Sequence, residues 1–243
     1  MTSIAQQPRV RHRATLADDA RDVGRVVLAG AAAGALAGAV IGGVGGRLVM
    51  LVLRLASDPM VIGMTSDDGF EIGRFTLRSS IGLAAGMAAL GTANGALYAI
   101  LRGSIRPRLR APLWAAFAAA VGGSQFVHED GVDFEFLEPL WFAVAAFVVL
   151  PGLAALVVVL LVERWLDERR RPPRPLTLVV SAAIGTLGLV PAAALAVVAV
   201  CARQLGIARA LASVGRVAVP LGLVVGTAVG AWYTVVEASR ILG

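Results

Sequence analysis

The stretch AGAAAGALAGAVIGGVGGRLVM, residues 29–50, sets glycine at 30, 34, 38, 42 and 46 and then an arginine at 47. Residues four apart lie on one face of a helix, so Gly30, Gly34, Gly38, Gly42 and Gly46 form a bare stripe into which a second backbone can approach closely. Such a stripe matters most in lipid. There hydrophobic burial does not drive two helices together, and close van der Waals contact over small residues must do so instead. The segment 80–101 repeats the device with Gly82 and Gly86, then Gly91 and Gly95. The stripe therefore predicts two spans packed tightly on each other or on a second copy of the chain.

The whole chain agrees with a lipid solvent. Of its 243 residues 58% are hydrophobic and 16% charged, with mean hydropathy +0.79, which is more apolar than a water-soluble domain tolerates. The formal charge of +6 comes from 22 arginines with no lysine. They sit in short groups between apolar runs, as in a polytopic membrane protein, and nucleic acid is excluded as a partner. The lone Cys201 reads as a small apolar filler. Six apolar segments are long enough to cross a bilayer, at about 26–53, 80–101, 111–127, 139–162, 176–201 and 217–236, behind a polar N-terminal tail over 1–25. The expected fold is an all-α bundle of about six spans whose first helix is a retained signal anchor.

Arginine bias sets the expected orientation. With the N-terminus inside, six antiparallel spans put 15 arginines in cytoplasmic segments and 6 outside, and Arg47 remains near a boundary. Both termini are then cytoplasmic. One segment dissents: RQLGIARALASVGR (203–216) carries three arginines in a loop that this topology places outside. Trp114, Trp141, Trp165, Trp232 and Tyr98 fall near span ends, where an aromatic belt is expected. Thr92, Asn94, Ser124 and Gln125 are the polar groups within spans, expected to hydrogen-bond between helices.

Arg47 and Arg54 are seven apart, on one helical face and about 10 Å apart along the axis. A guanidinium at that depth snorkels or finds a carboxylate. Two outer loops supply acids: Asp58, Asp67, Asp68 and Glu71 in the first, and Glu129, Asp130, Asp133, Glu135 and Glu138 in the second. Three readings compete. In the first, Asp68 and Glu71 form a capping box, Pro139 opens a helix, and the remaining acids make structural ion pairs with Arg47, Arg54, Arg74 and Arg78. In the second, Asp67, Asp68, Glu71, Glu129, Asp130 and Asp133 converge on a divalent cation, although no D-x-D-x-D-G loop is present. In the third, the acids line a vestibule for a transported cation, with His128 as a proton-sensitive element. The echo of DDGFE in EDGVDFE hints at a duplicated two-span unit.

Enzyme chemistry finds no foothold. The chain has no H-E-x-x-H, G-x-S-x-G, P-loop or cysteine pair, and no cofactor is expected. GRLVMLVLRLAS, TSDDGFEIGRFTL and GVDFEFLEPLWFAVAAFVVLPG resemble segments of an uncharacterised group of polytopic membrane proteins from high-GC actinobacteria. That resemblance covers the first four spans and implies the bacterial plasma membrane as host, with no function attached. A structural or partner-binding role is expected, the partners being the lipid bilayer and a second copy or another membrane protein. The alternative is a small transporter, which would place polar residues at mid-membrane, where this chain has Ala, Gly, Val and Leu.

Overall fold

The computed structural model describes residues 16–64, 76–128, 138–167, 186–205 and 208–243, and its regular elements there are all helical. The first helix runs without a break over Leu16–Ala56. It comprises α1 (Leu16–Ala37), a π-helical stretch over Gly38–Gly45 and α2 (Gly46–Ala56). Thr76 caps α3 (Leu77–Leu101), its hydroxyl accepting the Ser79 amide at 3.2 Å. A tight turn at Arg102–Ser104 leads into α4 (Pro107–Phe126), where Pro107 occupies the first turn, which lacks amide acceptors anyway. The remaining helices are α5 (Leu140–Asp167), α6 (Thr186–Gln204) and α7 (Ala208–Leu242).

Four helices are long and apolar enough to cross a membrane: Leu16–Ala56, Leu77–Ser104, Leu140–Asp167 and Ser213–Leu242. The expected span at 111–127 is helical but falls within the shorter α4, whose first turn carries Arg108 and Arg110. Of the expected span at 176–201, residues 176–185 lie outside those described, and the rest belongs to α6.

The direction of each helix follows from its neighbours. Leu53 of α2, Val127 and Ala143 share one cluster, with Ala238 and Ile241 of α7 against it. At the other end Gly215 of α7 lies against Ser104, and the Gln204 amide nitrogen donates to Asp19 at 2.8 Å. Helix α7 therefore runs parallel to α4, with Gly226 beside Phe117 and Gly230 beside Ala120. Helix α6 runs antiparallel to α1. From Gln204 back to Thr186 is about 27 Å of helix, which brings Thr186 level with Ala37, near the middle of the bundle.

The two ends of the described chain consequently fall at opposite ends of the bundle, whereas six antiparallel spans would put them at one. The physical reason is that α7 pairs side by side with α4. Its arginine-bearing start then meets the Arg102–Ser104 turn instead of the Ser57 end. Arg21, Arg25, Arg102, Arg106, Arg108, Arg110, Arg164 and Arg216 gather at one end, and Arg54, Arg78 and Arg240 at the other. Of the dissenting arginines of 203–216, Arg216 thus joins the basic end.

Side chains are small where helices cross. An added Cβ at Gly30 would strike the Gly95 carbonyl, one at Gly34 the Gly91 carbonyl, and one at Gly38 the Met87 carbonyl. The clashes from Gly91 and Gly95 back onto Gly34 and Gly30 are reciprocal. At Gly42 a Cβ would meet only the Met87 side chain at 3.0 Å, and at Gly46 only Leu83 at an ordinary 3.7 Å. The π-helical turn intervenes, and its wider winding rotates the later glycines away from the line set by the first three. Gly82 and Gly86 of α3 meet nothing within 4 Å.

Candidate functional site

The densest polar chemistry among the described residues lies at the basic end, around Glu163 on α5. Its position follows from three helices that each carry polar groups at a spacing of four. Asn94 and Tyr98 follow one face of α3 and Arg102 continues it at the C-cap, Arg110 and Trp114 share one face of α4, and Glu163 and Asp167 one face of α5. All three faces converge on one carboxylate.

Tyr98 donates its hydroxyl to Glu163 Oε1 at 2.6 Å. Arg102 presents a fork, with Nε 3.1 Å from Oε1 and one terminal nitrogen 3.2 Å from Oε2. Arg110 donates to Oε2 at 2.7 Å, while its Nε reaches the carbonyls of Arg102 and Ile105 at 3.1 and 3.3 Å. Three of these contacts with the carboxylate are hydrogen bonds, one each from Tyr98, Arg102 and Arg110, and the Arg102 Nε contact adds to the charge pairing. Arg102 also reaches Asp167 at 3.4 Å. The side chains of Arg102, Arg110 and Glu163 are 18%, 16% and 22% exposed, so the pair and its hydrogen bonds are mostly withdrawn from water.

Beneath this cluster the Trp114 indole donates to Asn94 Oδ1 at 3.0 Å. The Trp114 ring lies 5.3 Å from that of Tyr98 and 5.8 Å from that of Phe117. Trp114 and Tyr98 are both fully buried. That corrects their expected place in an interfacial belt, because each has a polar tip satisfied inside the bundle and an apolar body packed among Ala33, Ala99, Ala118 and Val158. Trp141 and Trp232 are exposed.

The other polar groups of the helices separate cleanly. Asn94 bonds between helices, as expected. Thr92 instead returns its hydroxyl to the Ala88 carbonyl at 2.7 Å and Ser124 to the Val121 carbonyl at 2.9 Å, both within their own helices. Of Gln125, the main-chain carbonyl stands 2.9 Å from a ring nitrogen of His128. Thr234, not singled out by the sequence, is buried between α7 and α4, 3.4 Å from the Ala120 carbonyl.

At the opposite end the expected acidic site falls mostly outside the described residues, including Asp67, Asp68, Glu71, Glu129, Asp130 and Asp133. Among the described residues no three of His, Cys, Asp or Glu gather as metal ligands would. Asp58 accepts the Met60 amide at 2.8 Å and so caps the short turn after α2. Ser57 clamps the main chain of Glu138, accepting its amide at 2.8 Å, which ties the end of α2 to the approach of α5. Arg47 is half-buried, with one terminal nitrogen 3.9 Å from Met50 sulfur, and Arg54 is half-buried near Leu53.

Hydrogen-bonded by Tyr98, Arg102 and Arg110 together, the Glu163 carboxylate fastens α3, α4 and α5 to one another. No family model matches the chain, and neither a curated protein nor a solved structure is similar to it.

Proposed function

We propose that this chain is an integral protein of the bacterial plasma membrane with a structural or partner-binding role, neither an enzyme nor a conduit. The observation that carries the reading is the way its interior is filled. Main chain lies against main chain where α1 crosses α3, and the densest polar cluster among the described residues is hydrogen-bonded within the bundle. A transport path needs polar groups with unused capacity at mid-membrane or helices broken there. The buried residues of α1 and α3 are instead mainly Ala and Gly, joined by a few Val and Leu and by polar groups bonded within the bundle.

The same arrangement supports a topology in which α1–α2, α3, α4, α5 and α7 cross and α6 reaches about half-way from the basic end. The glycine faces of the first two spans serve as the seam that sets their spacing. Positive charge favours the cytoplasmic side, so the N-terminus and the basic end are inside and the C-terminus is outside. Single cysteines in a Cys201→Ser background test this: Gly103 and Ser213 should label from the cytoplasmic side and Ser79 and Ser239 from the other. Labelling of positions 213 and 239 from one side would overturn the topology. The role itself is tested by capture from native membranes and by flux assays. Recovery of a stoichiometric membrane partner is expected, and cation flux in proteoliposomes that depends on the purified chain would replace the structural reading with the transporter.

A further inference from the structure

The arginines of the turn RGSIRPRLR (102–110) divide into two sets. Arg102 and Arg110 turn inward onto Glu163. Arg106 and Arg108 are exposed, and neither has a carboxylate partner among the described residues. A third exposed arginine joins them from α7. Gly215 lies against Ser104, with 3.0 Å between a notional Cβ and the serine hydroxyl oxygen, so Arg216 follows immediately beside the same turn. No acidic residue occurs anywhere in 102–128 or 205–236. Of the acids at this end, Glu163 is held by Arg102 and Arg110, Asp167 by Arg102, Asp18 faces Arg21, and Asp19 accepts from Gln204. Arg106, Arg108 and Arg216 thus make no ion pair among the described residues, and this corner of the bundle is positively charged.

Its apolar neighbours say which anion would answer it. Leu109 stands 48% exposed between Arg108 and Arg110, and Val214 and Val217 stand 64% and 70% exposed on either side of Arg216. Bare apolar side chains beside the exposed guanidinium groups of Arg108 and Arg216 fit the boundary between acyl chains and headgroups, where an arginine stem lies in hydrocarbon and its head reaches phosphate. The cation is arginine at every position. A planar fork binds a phosphodiester through two parallel hydrogen bonds, where an ammonium offers only a point charge. The geometry points to a binding site for anionic phospholipid at the basic end, formed by Arg106, Arg108 and Arg216 around the Ser104 turn. It rests on the membrane reading above and adds to it a chemical preference: the chain takes phosphatidylglycerol-type headgroups at this corner over zwitterionic ones.

The test uses the full chain in nanodiscs of phosphatidylcholine with or without phosphatidylglycerol, counting retained phosphatidylglycerol by native mass spectrometry and following thermal stability. Each arginine at an anionic surface is worth about 5-fold in affinity, so the Arg106→Gln, Arg108→Gln, Arg216→Gln triple variant should lose on the order of 100-fold of the phosphatidylglycerol preference. Its stability in pure phosphatidylcholine should match the parent, because none of the three contacts the Glu163 cluster. Arg78→Gln, exposed at the opposite end, should keep the preference. The proposal is overturned if the triple variant prefers phosphatidylglycerol as strongly as the parent. It is equally overturned if Arg78→Gln loses as much as the triple variant, which would make net charge the cause. Inorganic phosphate or an acidic polynucleotide that stabilises the phosphatidylcholine-embedded protein as well as phosphatidylglycerol does would assign the corner to a soluble anion. Failure to enter nanodiscs, with release from native membranes by carbonate, would instead refute the membrane reading beneath it.

Discussion

Replacing Glu163 with glutamine removes one charge and almost no volume, and it isolates what the shared carboxylate contributes. Removing one partner of a buried ion pair costs about 3–5 kcal/mol because the other charge is left uncompensated. Two features reduce that figure here. The three side chains keep 16–22% exposure, so water screens part of the loss, and the glutamine carbonyl can still accept the Tyr98 hydroxyl at the position of Oε1. That retained bond is worth about 1 kcal/mol, which brings the expected destabilisation to about 2–4 kcal/mol. Reversible unfolding in mixed micelles, monitored through buried Trp114, would measure it. A double-mutant cycle with Arg110→Gln sharpens the result. The pair variant leaves Arg102 facing Asp167, one charge of each sign, so the second substitution should cost at least about 1.5 kcal/mol less in the Glu163→Gln background than in the parent. Additivity within about 0.5 kcal/mol would refute the reasoning, since it would mean that Arg110 and Glu163 are each solvated on their own.

Gly34→Ala should be severely destabilising, by about 3 kcal/mol or more, because the clash is with the Gly91 carbonyl, which cannot swing away as a side chain could. Gly86→Ala on α3, where nothing lies within 4 Å, should be neutral or stabilising by up to about 1 kcal/mol from helix propensity; thermal melts of the two variants side by side decide whether contact or composition governs. Trp114→Phe should cost about 1–3 kcal/mol beyond its loss of packing, because Asn94 Oδ1 is left without its indole donor. Adding Asn94→Leu should recover part of that loss in the same unfolding assay. Ser57→Ala should loosen the hold on Glu138 and raise hydrogen exchange at the start of α5 while leaving the basic end unchanged, as read by exchange mass spectrometry.

The membrane class and the helices were legible because both depend on local properties, namely apolar run length and small-residue spacing. The crossing of α1 on α3 shows how far that goes. Spacing marked Gly30, Gly34, Gly38, Gly91 and Gly95 alike, but also Gly82 and Gly86, which the fold leaves open. The Glu163 cluster was missed although its signal was present, in polar groups four apart at 94, 98 and 102, at 110 and 114, and at 163 and 167. Each arginine looked like part of the positive-inside count, and the two aromatics looked like a belt. Only tertiary placement distinguishes an arginine facing water from one facing a carboxylate. The direction of α7 was hidden for a related reason. Run length along the chain does not say which end of the bundle an apolar segment starts from, and only the contact of Gly215 with Ser104 places the start of α7.

A seam made of main chain has a consequence for how the helices find one another. Where Gly30, Gly34 and Gly38 press on Gly95, Gly91 and Met87, nearly every atom in contact is one that all residues share, so the surface has adhesion but almost no address. Any smooth glycine face could settle there, in either direction or one turn out of step. What address α3 has is written on its contacts with α4 and α5, in bonds that have a donor at one end and an acceptor at the other, and these fix the height of α3 in the bundle while leaving the α1 seam unaddressed. Asn94 meets only an indole at its own height, and the Arg102 fork closes only on a carboxylate at the matching height of α5. Closeness and correctness are thus encoded by different residues, and a variant that spares every glycine can still assemble tightly in the wrong register.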